Sequence, residues 1–307
     1  MRGRCFLAYA LAGVISLTQP AGAQLESPAC SNGALETAAD AVARAFEAHQ
    51  FVFIGSTHGS EKRQEFLLCL LSRPALQDQM TDVLVEWANP VHQRLLDRYL
   101  IEQEEIPIDS LRKVWFDTDG AELWAGMPQI PDFFVRLRDL NANLKQARRI
   151  RVIGGAAPVD WSKVNSVDDI AIYPFKTNWT AHLITEHFAT SADRRLLVVY
   201  GDGHIHHNGG TLMSDVEARL DSESLYVVGT VLDLEGEEVE KVNRLGDSER
   251  PFFIEAQKFP QEGPYPRDLF FVRDRALDSY IDGLVYLGPV PDRDLSNAVR
   301  LTLAQRA

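Results

Sequence analysis

The sequence predicts an α/β protein with a single domain, in which helices cover both faces of a mostly parallel central sheet. Short apolar segments rich in β-branched residues recur along the chain, and patterns typical of helices separate them. These apolar segments are continuous rather than alternating, which is typical of strands that are buried on both faces. The chain has 307 residues, of which 45% are hydrophobic, so it can bury a large core.

The elements follow one another in a strand-and-helix order. The strand candidates are 51–54, 83–86, 150–153, 196–200, 225–231, 269–272 and 284–287. The helix candidates between them are 36–49, 61–72, 91–102, 130–146, 178–189 and 211–220. Segments 103–129 and 232–266 are richer in proline, glycine and charge and contain no strong strand. We expect them to be excursions over the edge of the sheet.

Residues 1–23 resemble a secretory signal peptide. Arg2 and Arg4 precede a short apolar run, and small residues end it at Ala23. The run is too short to span a bilayer as a mature helix. We therefore expect cleavage near Ala23 and an exported mature domain over 24–307, periplasmic or secreted. A buried N-terminal helix is the alternative.

The charge of the chain limits its partners. The formal net charge is −13 at pH 7, which argues against nucleic acid or an anionic membrane as the main partner. After the signal, no segment is long and uncharged enough to be a transmembrane helix. The expected partner is a small molecule, a peptide or haem, and the oligomeric state stays open.

Cleavage of the signal would leave two cysteines, Cys30 and Cys69. In an oxidising compartment they can form a disulfide bond that ties down the mature N-terminus. Cys69 also lies on the apolar side of a predicted helix, where a buried free thiol is equally natural. The sequence leaves both alternatives open.

One short pattern occurs twice: an apolar strand that runs into Gly-x-x-His. Strand 51–54 leads to His58, and strand 196–200 leads to His204. In open α/β sheets, ligands bind in the crevice beyond the carboxyl ends of the strands. A glycine directly after a strand lets the chain turn sharply there. We therefore expect both imidazoles to face one crevice, although a single histidine at a strand end is also a common structural residue.

A third strand, 83–86, ends in a carboxylate, Glu86. Such a carboxylate is poorly solvated unless it is paired or binds a ligand, although it can also cap a neighbouring helix. Two imidazoles and one carboxylate form metal sites that keep one coordination position open. We predict that His58, Glu86 and His204 share one site, as catalytic residues and as candidate ligands of a divalent metal of unknown identity.

Two further side chains are candidates for cofactor binding, Tyr200 and His206. If the chain stays extended after Gly201, alternation places His206 on the same side as His204. For the next residue, His207, we expect a solvated loop.

With these residues, the sequence resembles the superfamily of ChaN-like, Tiki and erythromycin-esterase-like proteins. Its members are similar in having a strand followed by Gly-Glu-x-His, a second strand that ends in Glu, and a later strand followed by Gly-x-x-His. The matching positions here are 55–58, Glu86 and 201–204. Segment 90–100 looks like the Gln-x-x-Leu-Asp-x-Tyr helix of ChaN-like proteins. The resemblance covers roughly residues 48–215.

The resemblance implies several functions. The esterase branch hydrolyses a macrolide lactone with His and Glu, Tiki proteins are metal-dependent peptidases, and ChaN-like lipoproteins are associated with haem binding and iron uptake. Two positions depart from the pattern. Ser56 stands where the family has Glu, and Ala156 stands where related bacterial proteins have an acidic residue, while Asp160 and Trp161 are retained.

We favour a hydrolase that uses His58, Glu86 and His204, with or without a metal. The chain has no Gly-x-Ser-x-Gly elbow, which argues against a serine hydrolase. The alternatives are a member that has lost its chemistry and a haem- or metal-binding protein for iron uptake, with His204, His206 or Tyr200 on the iron. The aromatic residues that would flank a haem are Trp115, Phe116, Trp124, Phe133 and Phe134.

Overall fold

One seven-stranded sheet organises the protein. A computed structural model describes residues 30–56, 58–232, 234, 237–261, 265–272 and 275–289. Its strands are β1 (Phe51–Ser56), β2 (Asp82–Val85), β3 (Arg151–Gly154), β4 (Leu196–Gly201), β5 (Leu225–Val231), β6 (Phe252–Glu255) and β7 (Gly283–Tyr286). The predicted signal peptide lies outside the described residues.

The strands lie in the spatial order β3-β2-β4-β1-β5-β7-β6. All neighbours are parallel except β6 and β7, which are antiparallel at one edge. The predicted fold class, an α/β domain with a mostly parallel sheet, is confirmed. Strand β4 lies between β2 and β1, so the ends of the three strands that carry the predicted site residues are adjacent.

Helices connect the strands and cover the sheet. The helices are α1 (Gly33–Ala43), α2 (Glu61–Leu71), α3 (Pro74–Gln77), α4 (Gln93–Leu100), α5 (Ile108–Leu111), α6 (Lys113–Phe116), α7 (Ala121–Trp124), α8 (Gln129–Ala142), α9 (Val167–Ile170), α10 (Lys176–His182), α11 (Asp202–Ile205), α12 (Thr211–Glu217) and α13 (Glu237–Leu245). Helix α10 continues as a π-helix over Leu183–Phe188. In the ranges that the structure covers, none of the helices has the length and apolar character needed to cross a membrane.

Alternate residues of the central strand β1 belong to two different cores. Val52 and Ile54 pack in the core beneath α1, α2 and α8. Phe51 and Phe53 pack in the core beneath α10 and α12. Because side chains alternate along a strand, a sheet that is buried on both faces needs apolar residues at every position. This requirement explains the continuous apolar runs of the sequence.

Two expectations about the C-terminal part were wrong. Segment 269–272 is not a strand, because residues Arg267–Leu269 form a 3₁₀ turn and the chain then bends. Segment 232–266, expected to lack strands, contains helix α13 and strand β6. Strand β6 is short, half-buried and at the sheet edge, so it lacks the continuous, β-branched character that marks the inner strands.

A disulfide bond joins Cys30 to Cys69, which settles the open alternative for these two cysteines. The bond ties the chain before α1 to the buried face of α2. Asn32 begins α1 there, because its side chain accepts a hydrogen bond from the backbone N–H of Leu35 at 2.8 Å. The disulfide bond therefore holds the first described residues against the core that lies beneath α1 and α2.

Replacing both cysteines by serine should lower the free energy of unfolding while leaving the fold intact. The bond closes a loop of 39 residues, for which the loss of chain entropy in the unfolded state corresponds to about 4 kcal/mol. Urea unfolding of the oxidised wild type and the double variant measures the difference. Wild-type protein treated with a reductant should unfold like the variant, and equal midpoints for all three samples would contradict the prediction.

Candidate active site

The three predicted site residues meet beside Gly201, the last residue of β4. A Cβ atom placed on Gly201 would lie 3.2 Å from Glu86 Oε2, 3.3 Å from His204 Cδ2 and 3.5 Å from His58 Cε1. The structure therefore brings His58, Glu86 and His204 around one point at the carboxyl ends of β1, β2 and β4. Glycine at position 201 leaves that point free of a side chain.

Glu86 is the most enclosed of the three, with 1% of its surface exposed. One carboxylate oxygen, Oε2, accepts a hydrogen bond from the backbone N–H of Gly201 at 2.7 Å. The other, Oε1, forms an ion pair with Nζ of Lys176, the first residue of α10. A carboxylate this deep requires such partners. Sequence reasoning missed Lys176, because a lysine at the start of a helix carries no signal of its own.

His58 stands at the end of β1 with its ring against Trp124. The two rings pack edge to face with their centroids 4.5 Å apart. Burial lowers the pKa of His58 below 6.5, since desolvation disfavours the imidazolium form, and the charge of Glu86 only partly opposes this. Lys176 and His204 lower the pKa further. The ring is therefore a neutral base at pH 7.

His204 lies on the short helix α11, which follows β4 without a loop. Its Nδ1 shares a hydrogen bond of 2.6 Å with Oγ1 of Thr211, the first residue of α12. Burial is again the main cause that lowers the pKa of His204, and Glu86 opposes it. Helix α11 packs closely on β1, since a Cβ atom on Gly55 would lie 1.8 Å from Asp202 Oδ1. Glycine at position 55 thus permits the approach that positions His204.

Asp119 is a further charged group of the site that sequence reasoning missed. Asp119 as a whole is exposed to solvent. Protein atoms nevertheless crowd its carboxyl group, and this desolvation raises the pKa of Asp119. Lys176 and a hydrogen bond from the backbone of Ala157 oppose this shift. The excursion 103–129 therefore supplies an acidic group next to the segment in which Ala156 replaces the acidic residue of related proteins.

The two candidate cofactor ligands are packed into the protein. Tyr200 is fully buried, and its hydroxyl group donates to the carbonyl oxygen of Gly155 at 3.4 Å. His206 stacks on Phe271, with the ring planes 5° apart and the centroids at 4.6 Å. The chain is helical over 202–205, so the condition under which alternation would place His206 on the side of His204, an extended chain, is not met.

His207 does not lie in a solvated loop, contrary to expectation. Its Nδ1 pairs with Glu217 and its Nε2 pairs with Asp282, at 3.0 Å for the second contact. These two carboxylates raise the pKa of His207 above 6.5, although burial opposes them. His207 therefore ties the chain after α11 to α12 and to the entry of β7.

The geometry does not fit the predicted metal set. Across the described ranges, no group of three or more His, Cys, Asp or Glu side chains is arranged to hold a metal ion. In addition, the ammonium group of Lys176 already occupies one oxygen of Glu86. A divalent cation at the same carboxylate would be repelled by this charge.

A small cavity adjoins His58 on the side of α2 and α8. Among its mostly apolar walls are Phe66, Trp87, Trp124, Met127, Ile130 and Phe133. Its volume is about 60 Å³. Sites for drug-sized ligands measure roughly 300–1,000 Å³, so this cavity accommodates a small group and not a haem.

The comparisons with known proteins rest on structure, because no family model and no curated protein matches the chain. A succinoglycan biosynthesis protein superposes with a TM-score of 0.54 at 12% identity, over 80% of this chain and 89% of that one. A Bacillus cereus protein aligns over 80% and 90% with a TM-score of 0.47 at 12% identity. The chain has the fold of the first protein.

ChaN of Campylobacter jejuni, a protein that binds haem cofacially, is also among the similar structures. It aligns over 64% of this chain and 87% of its own length, with a TM-score of 0.40 at 15% identity. Of these likenesses, the one to the succinoglycan biosynthesis protein bears on the fold, and at 12% identity it bears on nothing else.

The three histidines should titrate in a fixed order. Since burial lowers the pKa of His58 and His204, and two carboxylates raise that of His207, we expect the first two below 6.5 and the third above it. NMR titration of the imidazole protons measures all three, with single His→Gln variants to assign the signals. Glu86→Gln should lower the pKa of His58 and His204 further. A titration of His58 above that of His207 would contradict this picture.

Proposed function

We propose that the protein is an exported hydrolase of esters, lactones or related carbonyl compounds that works without a metal. The convergence of His58, Glu86 and His204 beside Gly201 is the observation that carries the proposal. Two neutral imidazoles at pH 7 supply a general base and a hydrogen-bond donor at one point. The adjoining cavity gives room for a small substrate group beside His58.

In the proposed reaction, His58 takes a proton from a water molecule as the water oxygen attacks the carbonyl carbon. When the bond to the leaving oxygen breaks, His58 returns this proton to it, so one ester and one water yield an acid and an alcohol. If Thr211 donates to Nδ1 of His204, the proton of that ring is on Nε2, from which it hydrogen-bonds the carbonyl oxygen. Glu86 accepts a hydrogen bond from the backbone N–H of Gly201, the residue before helix α11, and thereby helps to position His204.

Export is part of the proposal. The N-terminal sequence has the features of a cleaved signal, and disulfide bonds such as Cys30–Cys69 are typical of oxidising compartments. Fractionation of cells that express the full chain, with mass spectrometry of the mature N-terminus, tests this. A protein that stays in the cytosol and begins at Met1 would contradict it.

Haem binding is the alternative, and the structure favours it less. Tyr200 is enclosed, and of the aromatic residues considered for flanking a haem only Phe116 is exposed. The cavity beside His58 is also far smaller than a haem. A titration of the mature protein with haem, followed by absorbance, separates the two functions, since a sharp and stoichiometric Soret band would support a carrier.

The hydrolase proposal predicts that His58→Ala lowers kcat/KM for p-nitrophenyl esters by about 10²–10⁴-fold, the contribution of a general base. For the wild type, kcat/KM should fall as the pH decreases through the lowered pKa of His58, because protonation removes the base. Rates across a panel from acetate to octanoate, measured in the presence of a chelator, provide the test.

His187→Ala serves as the matched control. This histidine pairs with Arg194 outside the site, so its removal should leave kcat/KM unchanged. Equal rates for the wild type and the His58→Ala variant would refute the proposal. If the folded wild type hydrolyses neither esters nor peptides, the protein would instead be a catalytically inactive relative of the superfamily that its sequence resembles.

A further inference from the structure

We propose that Ser56 is the nucleophile of the site and carries the acyl group of the substrate for part of each turnover. This inference rests on the proposed hydrolase and refines its first step, because the serine oxygen attacks the carbonyl carbon and water enters afterwards. Three observations carry it: the register of Ser56 in the sheet, the side chains around that position, and the turn that follows β1.

Ser56 is the last residue of β1, and its register partner on the neighbouring strand β4 is Gly201. Two residues earlier in each strand, the partners Ile54 and Val199 both point into the core beneath α1, α2 and α8. Because side chains alternate along a strand, Ser56 and the Cβ position of Gly201 face that same side. Neighbouring strands lie about 4.8 Å apart, so the Cβ atom of Ser56 is roughly this far from the point beside Gly201.

The point beside Gly201 is also where the imidazole of His58 lies. Its Cε1 atom is 3.5 Å from that point, and Cε1 is bonded to both ring nitrogens, so the basic nitrogen is close as well. Ser56 is half-buried and lines the same cavity as His58. Rotation about the Cα–Cβ bond of Ser56 lets its hydroxyl group approach the imidazole.

Both members of this pair are available for chemistry. Neither the hydroxyl group of Ser56 nor the imidazole of His58 forms a hydrogen bond with another residue of the described ranges. A serine becomes nucleophilic when a neighbouring base removes its proton, and hydrogen bonds of this kind often form only when the substrate is bound. The charge of Glu86 stabilises the imidazolium ion that results.

The backbone after Ser56 turns sharply from a strand into a helix. Strand β1 ends at Ser56, Gly59 has a φ of 83°, and α2 begins at Glu61. Glycine adopts such a positive φ without steric cost. The nucleophile elbow of α/β-hydrolases has the same order of strand, serine, turn and helix. The chain lacks the Gly-x-Ser-x-Gly sequence of that elbow, but its fold places a serine at the same step of this order.

The proposed acyl transfer has two halves. In the first, Ser56 Oγ bonds to the carbonyl carbon while His58 takes the hydroxyl proton, and His58 then gives this proton to the leaving oxygen as its bond to carbon breaks. An alcohol departs and an acyl-enzyme remains. In the second, water attacks the same carbon, its proton passes through His58 to Ser56 Oγ, and the acid is released. One ester and one water thus yield one acid and one alcohol.

Covalent labelling tests the nucleophile without turnover, so it succeeds or fails independently of hydrolysis. The mature protein is incubated with diisopropyl fluorophosphate, whose phosphorus bonds to an activated serine oxygen as fluoride leaves, and peptide mass spectrometry locates the label. We expect a single label, on Ser56, which Ser56→Ala abolishes. His58→Ala should slow the labelling by about 10²-fold or more, because the general base is lost.

Ser60→Ala is the matched control. Ser60 lines the same cavity, but its Oγ accepts a hydrogen bond from the backbone N–H of Arg63 at 3.3 Å and begins helix α2. Folded Ser60→Ala should therefore be labelled on Ser56 at the wild-type rate.

Ser56→Cys tests the contact with His58 by a second chemistry. The other two cysteines of the mature domain form the disulfide bond, so the introduced thiol is the one that iodoacetamide alkylates. Adding His58→Ala should slow this alkylation by about tenfold or more at pH 7, because the imidazole no longer takes up the thiol proton. Equal rates with and without His58 would contradict the contact.

The results separate the two proposals, with near-UV circular dichroism to verify that each variant is folded. A label on Ser56 that depends on His58 supports the nucleophile, even if no tested ester is hydrolysed. An unlabelled wild type, a label on another residue, or equal labelling of the wild type and His58→Ala overturns it. If Ser56→Ala hydrolyses p-nitrophenyl esters at the wild-type rate while His58→Ala does not, water attacks directly: the hydrolase stands and the nucleophile is refuted.

Discussion

A buried carboxylate is the constraint on which the site depends. Glu86 ends a strand in the interior of the protein, where a carboxylate that lost its partners would be destabilising. The backbone N–H of Gly201 and the ammonium group of Lys176 provide those partners. The first ties the carboxylate to β4, and the second ties it to α10. Glu86 thus connects the elements around the two imidazoles, and its charge moderates the fall of their pKa.

The sheet order converts this local constraint into a shared site. Strands β2, β4 and β1 are neighbours in the sheet. Glu86, His204 and His58 follow these strands, so they meet at one edge of the sheet although they are far apart in sequence. Gly201 keeps that meeting point free of a side chain, and Gly55 lets Asp202 of α11 pack against β1. A cavity then extends from His58 into the apolar layer between the sheet and helices α2 and α8.

Sequence patterns predicted the inner strands and the convergence of His58, Glu86 and His204, because buried parallel strands are continuous in apolar residues and end at a common edge. They missed β6, whose edge position needs no such run. They also missed Lys176 and Asp119, because these residues are far in sequence from the strand ends that they approach in the fold. The prediction of a solvated loop for His207 was wrong, because its two carboxylate partners, Glu217 and Asp282, lie further along the chain and give no local signal. Contacts of this kind depend on the tertiary structure and leave no local pattern.

A double-mutant cycle on Glu86 and Lys176 tests the central claim most directly. The free energy of unfolding in urea is measured for the wild type, Glu86→Gln, Lys176→Met and the double variant. If the pair organises the site, each single variant should lose about 3 kcal/mol because it leaves a buried group without its partner. The loss in the double variant should be smaller than the sum of the two by about 2 kcal/mol. Strictly additive losses would show that the two side chains do not act as a pair and would contradict the account.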